Sequence, residues 1–293
     1  MPTGHDFLSP RDFGRAIGVS ESTVKRWVDS GELRVMRTPG RHRRIVLSDA
    51  VRFVRDHQCR IQDPGLLGMD QTPLPPRPGD DLATQIHDAL VSGDEVRLRQ
   101  RVLGAYLSGM SVHALGDGPV RIAFARIGEL WKHDDDGIAI EHQAVQAMMR
   151  LMGMLRRLVP TAAGTALTAV GGAPSGDPYQ LPSQFAELTL IEAGWRAISL
   201  GPDTPSGAFR AAMARYRPRV VWLSISTIRE PERTRDEIQH IAQIAERTGA
   251  RLLIGGRMSE QLVPESAPCD RAESLCELAC LAQSVALHSP APA

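Results

Sequence analysis

The spacing of apolar residues changes twice along this chain of 293 residues. Up to about residue 57, short helical patterns flank one stretch of strict alternation. From about residue 81 to 160 the spacing is helical throughout, and beyond residue 160 short apolar runs alternate with helical segments. Three kinds of pattern in one chain of this length predict several domains rather than one core.

The first region is predicted to hold two helices, a hairpin and a third helix. Ser9, Ser20 and Ser48 each stand where an N-cap residue opens a helix, and these helices should end near positions 17, 30 and 57. Between the second and third helices, residues 33–45 alternate around the turn-forming run 38–40. This order predicts a helix-turn-helix followed by a two-stranded wing.

The middle of the chain reads as a linker followed by a helical bundle. Residues 60–80 are rich in Pro and Gly and have little periodicity, which is typical of a linker. Residues 81–160 carry helical apolar spacing with breaks at short glycine-containing turns. We therefore predict a first domain over 1–59, a linker over 60–80 and a four-helix bundle over 81–160.

Residues 161–293 alternate between apolar runs and helical segments. The runs are 166–170, 197–200, 220–225 and 252–254, and the helical segments lie near 183–194, 206–216, 231–248 and 271–287. Apolar strands separated by helices predict an α/β domain with a doubly wound parallel sheet. The predicted fold is thus multidomain: a winged helix-turn-helix, a four-helix bundle, then the α/β domain, whose ligands should bind at the carboxyl ends of the strands.

Composition and charge narrow the function classes. The chain has no apolar run of membrane-spanning length and no signal-peptide pattern at its start, so we expect a cytoplasmic protein with no membrane partner. Four cysteines in this length do not form a disulfide framework. The net charge of zero conceals a basic first region, because residues 1–57 hold eleven Arg and Lys against seven acids. A local positive excess suits contact with nucleic-acid phosphates.

Candidate DNA-binding residues lie on the second helix and the wing. A short helix fits the major groove, and a basic hairpin can contact phosphates or enter the minor groove. The polar residues of the helix are Ser22, Thr23, Lys25 and Arg26, and those of the wing are Arg37, Arg41, His42, Arg43 and Arg44. A solvated basic hairpin without a partner is the alternative.

Residues 8–57 resemble the winged helix of the MerR family of transcription regulators, whose wing ends in a similar basic run. In RTPGRHRRI, Arg41 stands where that family commonly has a second glycine. The resemblance implies binding of double-stranded DNA at a palindromic promoter operator by a homo-oligomer, a dimer or a tetramer. Paired metal-binding cysteines do not follow the first region, so no metal site is expected.

A second constellation, in the run WKHDDDGIAIEH, consists of Trp131, Glu141 and His142. On their own these residues could line a cavity, or they could be a core tryptophan and a polar pair at a helix start. A bundle followed by an α/β domain behind a MerR-like head resembles the light-responsive, cobalamin-binding regulators of the CarH, CarA and LitR type. That resemblance implies that the three residues lie over the upper face of adenosylcobalamin, and that light and cofactor control the oligomeric state.

The α/β region keeps part of that family's cofactor motif. Asp177 matches its acidic residue, but Tyr179 stands where the family has the histidine that ligates cobalt, and a protonated phenol is a poor cobalt ligand. The resemblance implies that the later positions Ser224, Ser226, Gly255 and Gly256 admit the nucleotide tail of the cofactor.

Three interpretations of the cofactor follow. Cobalamin could bind without a lower histidine, another tetrapyrrole such as haem or a bilin could take the cavity, or the domain could hold no cofactor. A cobalamin-dependent enzyme fragment is the alternative function class. We predict a regulator and not an enzyme, because no nucleophile and base stand at convincing spacing and no substrate domain accompanies the sheet.

Overall fold

A computed structural model describes residues 6–37, 42–70, 72–77, 79–130, 135–160, 164, 166–227, 229–263 and 267–288. Arg41 and Trp131, two of the predicted site residues, lie outside the described residues. By its contacts the chain divides into two units, 1–111 with 118–160 and 112–117 with 161–293. The segment 112–117, which the sequence pattern places in the helical region, therefore packs with the sheet. We call the two units the head unit and the sheet unit.

The head unit begins with three short strands and three helices. These are β1 (Phe7–Leu8), α1 (Pro10–Ile17), α2 (Glu21–Asp29), β2 (Met36–Arg37), β3 (Arg43–Val46) and α3 (Leu47–Asp56). The strands form an antiparallel sheet in the order β1-β3-β2. Strand β1, which the sequence pattern did not predict, pairs Leu8 with Ile45.

Two of the three predicted N-caps are confirmed and one is wrong. The Ser9 side chain accepts a hydrogen bond from the amide of Asp12, and that of Ser20 accepts one from Thr23. Ser48 instead lies inside α3 and is buried. Strand β3 runs directly into α3, and the Leu47 amide donates to the Asp6 carbonyl, so no serine cap is needed there.

The predicted linker is packed against the head unit. It contains a 3-10 turn at Pro64–Leu67, and Leu67 and Met69 are buried. The Gln62 amide donates to the Ala16 carbonyl at 2.7 Å, and the Leu74 amide donates to the Gln100 carbonyl at 2.9 Å. A segment that hydrogen-bonds and buries side chains in this way is an ordered connection.

Five helices follow: α4 (Leu82–Val91), α5 (Glu95–Leu107), α6 (Val112–Leu115), α7 (Arg121–Leu130) and α8 (Asp135–Leu158). Between α6 and α7 the chain is kinked at Gly118, whose backbone angles are not helical. The longer helices α4, α5, α7 and α8 pack against one another. Their buried side chains include Ile86, Leu98, Ile127 and Met148. The short α6 belongs to the sheet unit.

The predicted parallel sheet is confirmed. Its strands and helices are β4 (Thr168–Gly172), α9 (Leu181–Glu192), β5 (Arg196–Ser199), α10 (Ser206–Tyr216), β6 (Val220–Ser224), α11 (Pro231–Thr248), β7 (Arg251–Gly255), α12 (Ser259–Leu262), β8 (Asp270–Ala272) and α13 (Leu275–His288). Neighbouring strands are all parallel, in the order β5-β4-β6-β7-β8. The segment predicted as one helix over 271–287 is a short strand followed by a helix.

Helices cover both faces of this sheet. On one face, side chains of α10 and α11 such as Phe209 and Ile238 pack against Val221 and Leu223 of β6. On the other face, residues of α9 and α13 such as Leu190 and Leu278 pack against Trp222. Alternate residues of β6 thus face opposite layers, as expected of a central strand. Among the described residues, no helix has the length and apolar character needed to cross a membrane.

Candidate functional site

Helix α2 is fixed to the head unit by its apolar side. Val24 is fully buried, and the Trp27 ring lies 4.7 Å from the Phe53 ring of α3, centroid to centroid. Phe13 of α1 meets the same Phe53 ring edge-on at 5.9 Å. Because this aromatic cluster holds the apolar side inward, the polar side of α2 faces outward.

The first turn of α2 is a hydroxyl cluster. The Ser20 Oγ lies 2.7 Å from the Ser22 Oγ and 2.9 Å from the Thr23 Oγ1, while the Thr23 amide donates to it at 3.2 Å. Ser22 is exposed and Thr23 is half-buried. Both predicted hydroxyls therefore lie beside the cap, at the helix end that favours anions.

The predicted cationic side chains of α2 and the hairpin differ in their exposure and in their ion pairs. Lys25 and Arg26 are exposed, and the Lys25 Nζ lies 2.7 Å from the Glu21 Oε1. The Arg43 Nη2 donates to the Asp29 Oδ1 at 2.7 Å and so ties β3 to α2. Among the other hairpin residues, Arg37 and His42 are exposed and Arg44 is half-buried. The structure thus ties the hairpin to α2 through Arg43 and leaves Arg37 and His42 exposed.

Only part of the predicted cofactor constellation of the helical region is described. Glu141 and His142 are consecutive residues of α8, and they are half-buried and exposed respectively. Neither belongs to the hydrophobic core. Both residues are therefore at least partly open to solvent.

Asp177, in the loop after β4, is buried and fully engaged by the chain itself. Its Oδ2 accepts the Ser226 amide at 2.5 Å and the Thr227 amide at 3.4 Å, and its Oδ1 accepts the Tyr179 amide at 3.0 Å. Its side chain is only 1% exposed. The predicted pair Asp177 and Ser226 is therefore brought together, but as a contact between two loops of the fold.

Burial raises the pKa of the Asp177 carboxyl above its ordinary value. The backbone amides of Ser226, Tyr179 and Thr227 and the charge of Arg257 oppose that rise, because each favours the ionised form. The net direction remains upward. Removal from water thus outweighs the hydrogen bonds in this loop.

Tyr179 is 37% exposed, and its amide binds Asp177. The other predicted positions are enclosed by the fold. Ser224 and Ser226 are buried. A Cβ atom at Gly255 would lie 2.9 Å from the Ala272 carbonyl oxygen, and one at Gly256 would overlap the backbone of Ile225. These glycines permit close packing of the chain on itself, so they do not leave a cradle for a ligand.

Trp222 is the residue of this site that the sequence did not single out. It is 2% exposed, and its Nε1 donates to the buried Ser183 Oγ at 3.2 Å. Its ring lies across Gly171 of the neighbouring strand, where a Cβ atom would overlap it. The strand register that places Gly171 opposite Trp222 could not be predicted from the sequence.

A cavity of about 420 Å³ lies at the carboxyl edge of the sheet. It is lined by residues after β4, β5 and β6, among them Ser175, Asp177, Asp203, Thr227 and Arg229. Strands β4 and β6 flank the point where the strand order reverses, which is the usual ligand position in such sheets. No cluster of three or more metal-binding side chains occurs among the described residues.

Two comparisons with known proteins relate this chain to a transcriptional repressor and to a B12-binding domain. The HTH-type transcriptional repressor CarA of Myxococcus xanthus is 30% identical over 236 residues, which cover 77% of this chain and 78% of that protein. The family model described as a B12 binding domain matches residues 82–156.

One solved structure resembles this chain in fold over more than half of its length. The monomethylamine corrinoid protein of Methanosarcina barkeri aligns with a TM-score of 0.58 over 70% of this chain and 98% of that one. Its sequence identity of 16% makes this a likeness of fold alone.

These matches make cobalamin the candidate cofactor, but the residues of the sheet unit do not fit it in the expected manner. A tyrosine replaces the expected imidazole, and Asp177 binds backbone amides. Of the positions expected to admit the nucleotide tail, Ser224 and Ser226 are buried, and Gly255 and Gly256 lie against the backbone of Ala272 and Ile225.

Proposed function

Because this chain belongs to the family of the HTH-type transcriptional repressor CarA, we propose that it regulates transcription by binding double-stranded DNA through residues 6–57. In this proposal these residues form a winged helix-turn-helix whose helix α2 enters the major groove, and the β2–β3 hairpin contacts phosphates or the minor groove. The DNA-binding residues are Ser22, Thr23, Lys25, Arg26, Arg37, Arg41, His42, Arg43 and Arg44.

One observation carries this proposal: the apolar side of α2 is anchored by Val24 and Trp27, and its polar side lies beside a basic hairpin. The nine residues of α2 span about 13 Å at ~1.5 Å per residue. A major groove about 12 Å wide accepts such a helix. The Arg43–Asp29 contact supports a fixed position of the hairpin relative to that helix.

The rest of the chain is proposed to sense a signal and to control self-association. A homodimer or tetramer would present several heads to a palindromic operator, and each bound head raises the local concentration of the next. A signal that changes the oligomer therefore changes operator affinity without altering any head. The signal is proposed to be a cofactor, or light absorbed by it. We further propose that the chain is not an enzyme.

The DNA proposal can be tested without knowing the operator. Selection of bound duplexes from a random library should enrich a palindromic sequence, since an oligomer with two-fold symmetry reads two half-sites. Affinity for the selected duplex should fall steeply with salt, by about 0.9 log units per log unit of salt for each phosphate contact.

Charge-matched variants separate specific contact from net charge. Arg37→Ala with Arg44→Ala should weaken binding by about tenfold or more, and the slope of affinity against salt should fall by the amount expected for about two phosphate contacts. Arg215→Ala with Arg247→Ala removes the same charge from exposed positions of α10 and α11 and should leave both unchanged. Equal losses from the two pairs would contradict a DNA-binding surface on the hairpin.

The sensing proposal is tested by spectra and by mass. Purified chain is mixed separately with methylcobalamin, haem and biliverdin, and each mixture is separated from free ligand before its absorption spectrum is recorded. The oligomeric state is then measured by sedimentation with and without the bound ligand. A bound ligand that shifts the oligomer supports this part of the proposal, and a monomer under all conditions contradicts it.

A further inference from the structure

A cobalamin tail that leaves the ring and enters the sheet unit needs an open slot beside Ser224. Successive residues of a strand face opposite sides, and Trp222 packs against the layer of α9 and α13. Ser224, two residues further, therefore faces the same layer. The slot would have to lie between β6 and these two helices, with its mouth at the carboxyl edge of the sheet.

Trp222 fills the interior of that space. Its indole lies over Gly171 of β4 and is held by the Ser183 Oγ in the first turn of α9. Ala169, Ala186 and Leu278 complete the same buried cluster. A flat benzimidazole ring would have to take the volume that the indole ring occupies, because interiors of this kind are close-packed.

The segment 112–117 closes the mouth. Gly116 lies so near to Phe185 of α9 and Leu275 of α13 that a Cβ atom there would be 2.9 Å from the Phe185 Cδ1 and would overlap Leu275. The Asp117 carboxylate accepts the amides of Leu275 at 2.9 Å and Cys276 at 3.0 Å. This segment thus lies between Phe185 of α9 and the first turn of α13.

We infer that Trp222 excludes the nucleotide tail of a corrinoid from the sheet unit, so that any corrinoid bound by this chain keeps its own base on cobalt. The inference rests on the proposed function only in taking a corrinoid as the test ligand. DNA binding by the head unit is measured in a separate experiment. A failed test of tail exclusion can therefore be told apart from a failed test of DNA binding.

The wild-type test compares methylcobalamin with methylcobinamide, which lacks the nucleotide tail. Full-length protein is equilibrated with each in the dark, and bound and free ligand are separated by dialysis. We expect dissociation constants within about threefold of each other, well below the tenfold that corresponds to ~1.4 kcal/mol. The visible spectrum of bound methylcobalamin should be that of the form with its base on cobalt. Failure of both ligands to bind would remove the premise that the chain binds a corrinoid and would overturn the inference. A displaced base in the bound spectrum would overturn the inference.

Variants then test Trp222 itself. Tyr179→His alone changes an exposed residue and supplies an imidazole while Trp222 remains. The base should still stay on cobalt in this variant, and a displaced base would show that Trp222 is not the barrier. Trp222→Gly with Tyr179→His should bind methylcobalamin with its base displaced and about tenfold more tightly than methylcobinamide.

Trp222→Phe with Tyr179→His is the matched control, because it keeps an aromatic ring in the space. It should behave as Tyr179→His alone. Circular dichroism and thermal melting show whether each variant is folded. If the glycine variant does not fold, the Tyr179→His result still decides the inference. A folded glycine variant that shows no preference for methylcobalamin would contradict it.

Discussion

Asp177 shows how one side chain can join two loops of a sheet. Its carboxylate accepts amides from its own loop and from the residues that follow β6, and its carbonyl accepts the Asp203 amide at 2.9 Å. The three loops at the point of strand reversal thus meet at one buried residue. A carboxylate serves here because its two oxygens accept several amides at once.

Burial of this carboxylate predicts a pH dependence. Since the folded pKa of Asp177 is raised, the folded chain holds this proton more tightly than the unfolded chain, whose aspartate pKa is about 3.9. The contribution of Asp177 to stability is then greatest below that value and is lost as pH rises through the folded pKa.

Asp177→Asn removes this titration. The free energy of unfolding of the variant, measured in urea from pH 4 to pH 7, should therefore rise relative to wild type as the pH rises. A constant difference between wild type and Asp177→Asn at all pH values would contradict the raised pKa.

The role of Asp177 could be predicted only in part from the sequence. Its acidic character and its place after a strand pointed to the carboxyl edge of the sheet. Its partner Ser226 is 49 positions away, and only the parallel register of β4 and β6 brings the two together. The same holds for Trp222 and Gly171, because an apolar run shows burial but not which residue lies opposite.

At the scale of elements, helix α5 and the segment 72–77 before α4 approach each other closely at a single glycine. Gly104 lies inside α5, and a Cβ atom there would overlap the backbone of Leu74. The Leu74 amide also donates to the Gln100 carbonyl one turn earlier. The segment 72–77 therefore lies directly on the helix backbone.

Alanine substitution at two helical glycines should change the free energy of unfolding in opposite directions. Gly104→Ala should lower the free energy of unfolding by about 1–3 kcal/mol, because backbone atoms must move apart. Gly153→Ala in α8 meets no atom within 4 Å and should raise it by about 0.5–1 kcal/mol through helix propensity. Urea unfolding of wild type and of each variant measures these two changes in the free energy of unfolding. Equal effects of the two changes would contradict the close approach at Gly104.

Most elements could be predicted because their signals are local. N-caps at Ser9 and Ser20, and apolar runs flanked by helical patterns, fixed α1, α2 and the strands β4 to β7. Strand β8 has three residues, only one of them buried, so its pattern merges into the helix that follows. Strand β1 has two residues and depends on pairing with β3, which no local pattern indicates.

At the scale of the whole molecule, the sheet unit is built from two separate stretches of the chain. Residues 112–117 lie before two helices of the head unit, yet they pack with residues 161–293. Asp117 caps α13 across 158 positions, whereas Asp94 caps its own helix α5 by accepting the Arg97 amide at 2.9 Å. Each unit thus has an aspartate that satisfies amides at a helix start.

These aspartates predict unit-specific effects. Asp117→Ala should lower protection from hydrogen exchange in the first turn of α13, and Asp94→Ala should do so in the first turn of α5, each by about 1 kcal/mol. Exchange measured by mass spectrometry on the full chain resolves the two helices. Unchanged exchange in α13 after Asp117→Ala would mean that the segment 112–117 does not pack with the sheet unit.

The discontinuous sheet unit has a consequence for synthesis. Residues 112–117 leave the ribosome well before the helix that Asp117 caps. Leu275 follows Asp117 by 158 positions. At ~5–20 residues per second, its synthesis therefore comes ~10 s or more later. Until then, the Gly116 backbone has no Phe185 or Leu275 against which to close. The nascent chain can form its first strands early, but the layer of α9 and α13 closes only after Leu275 has emerged.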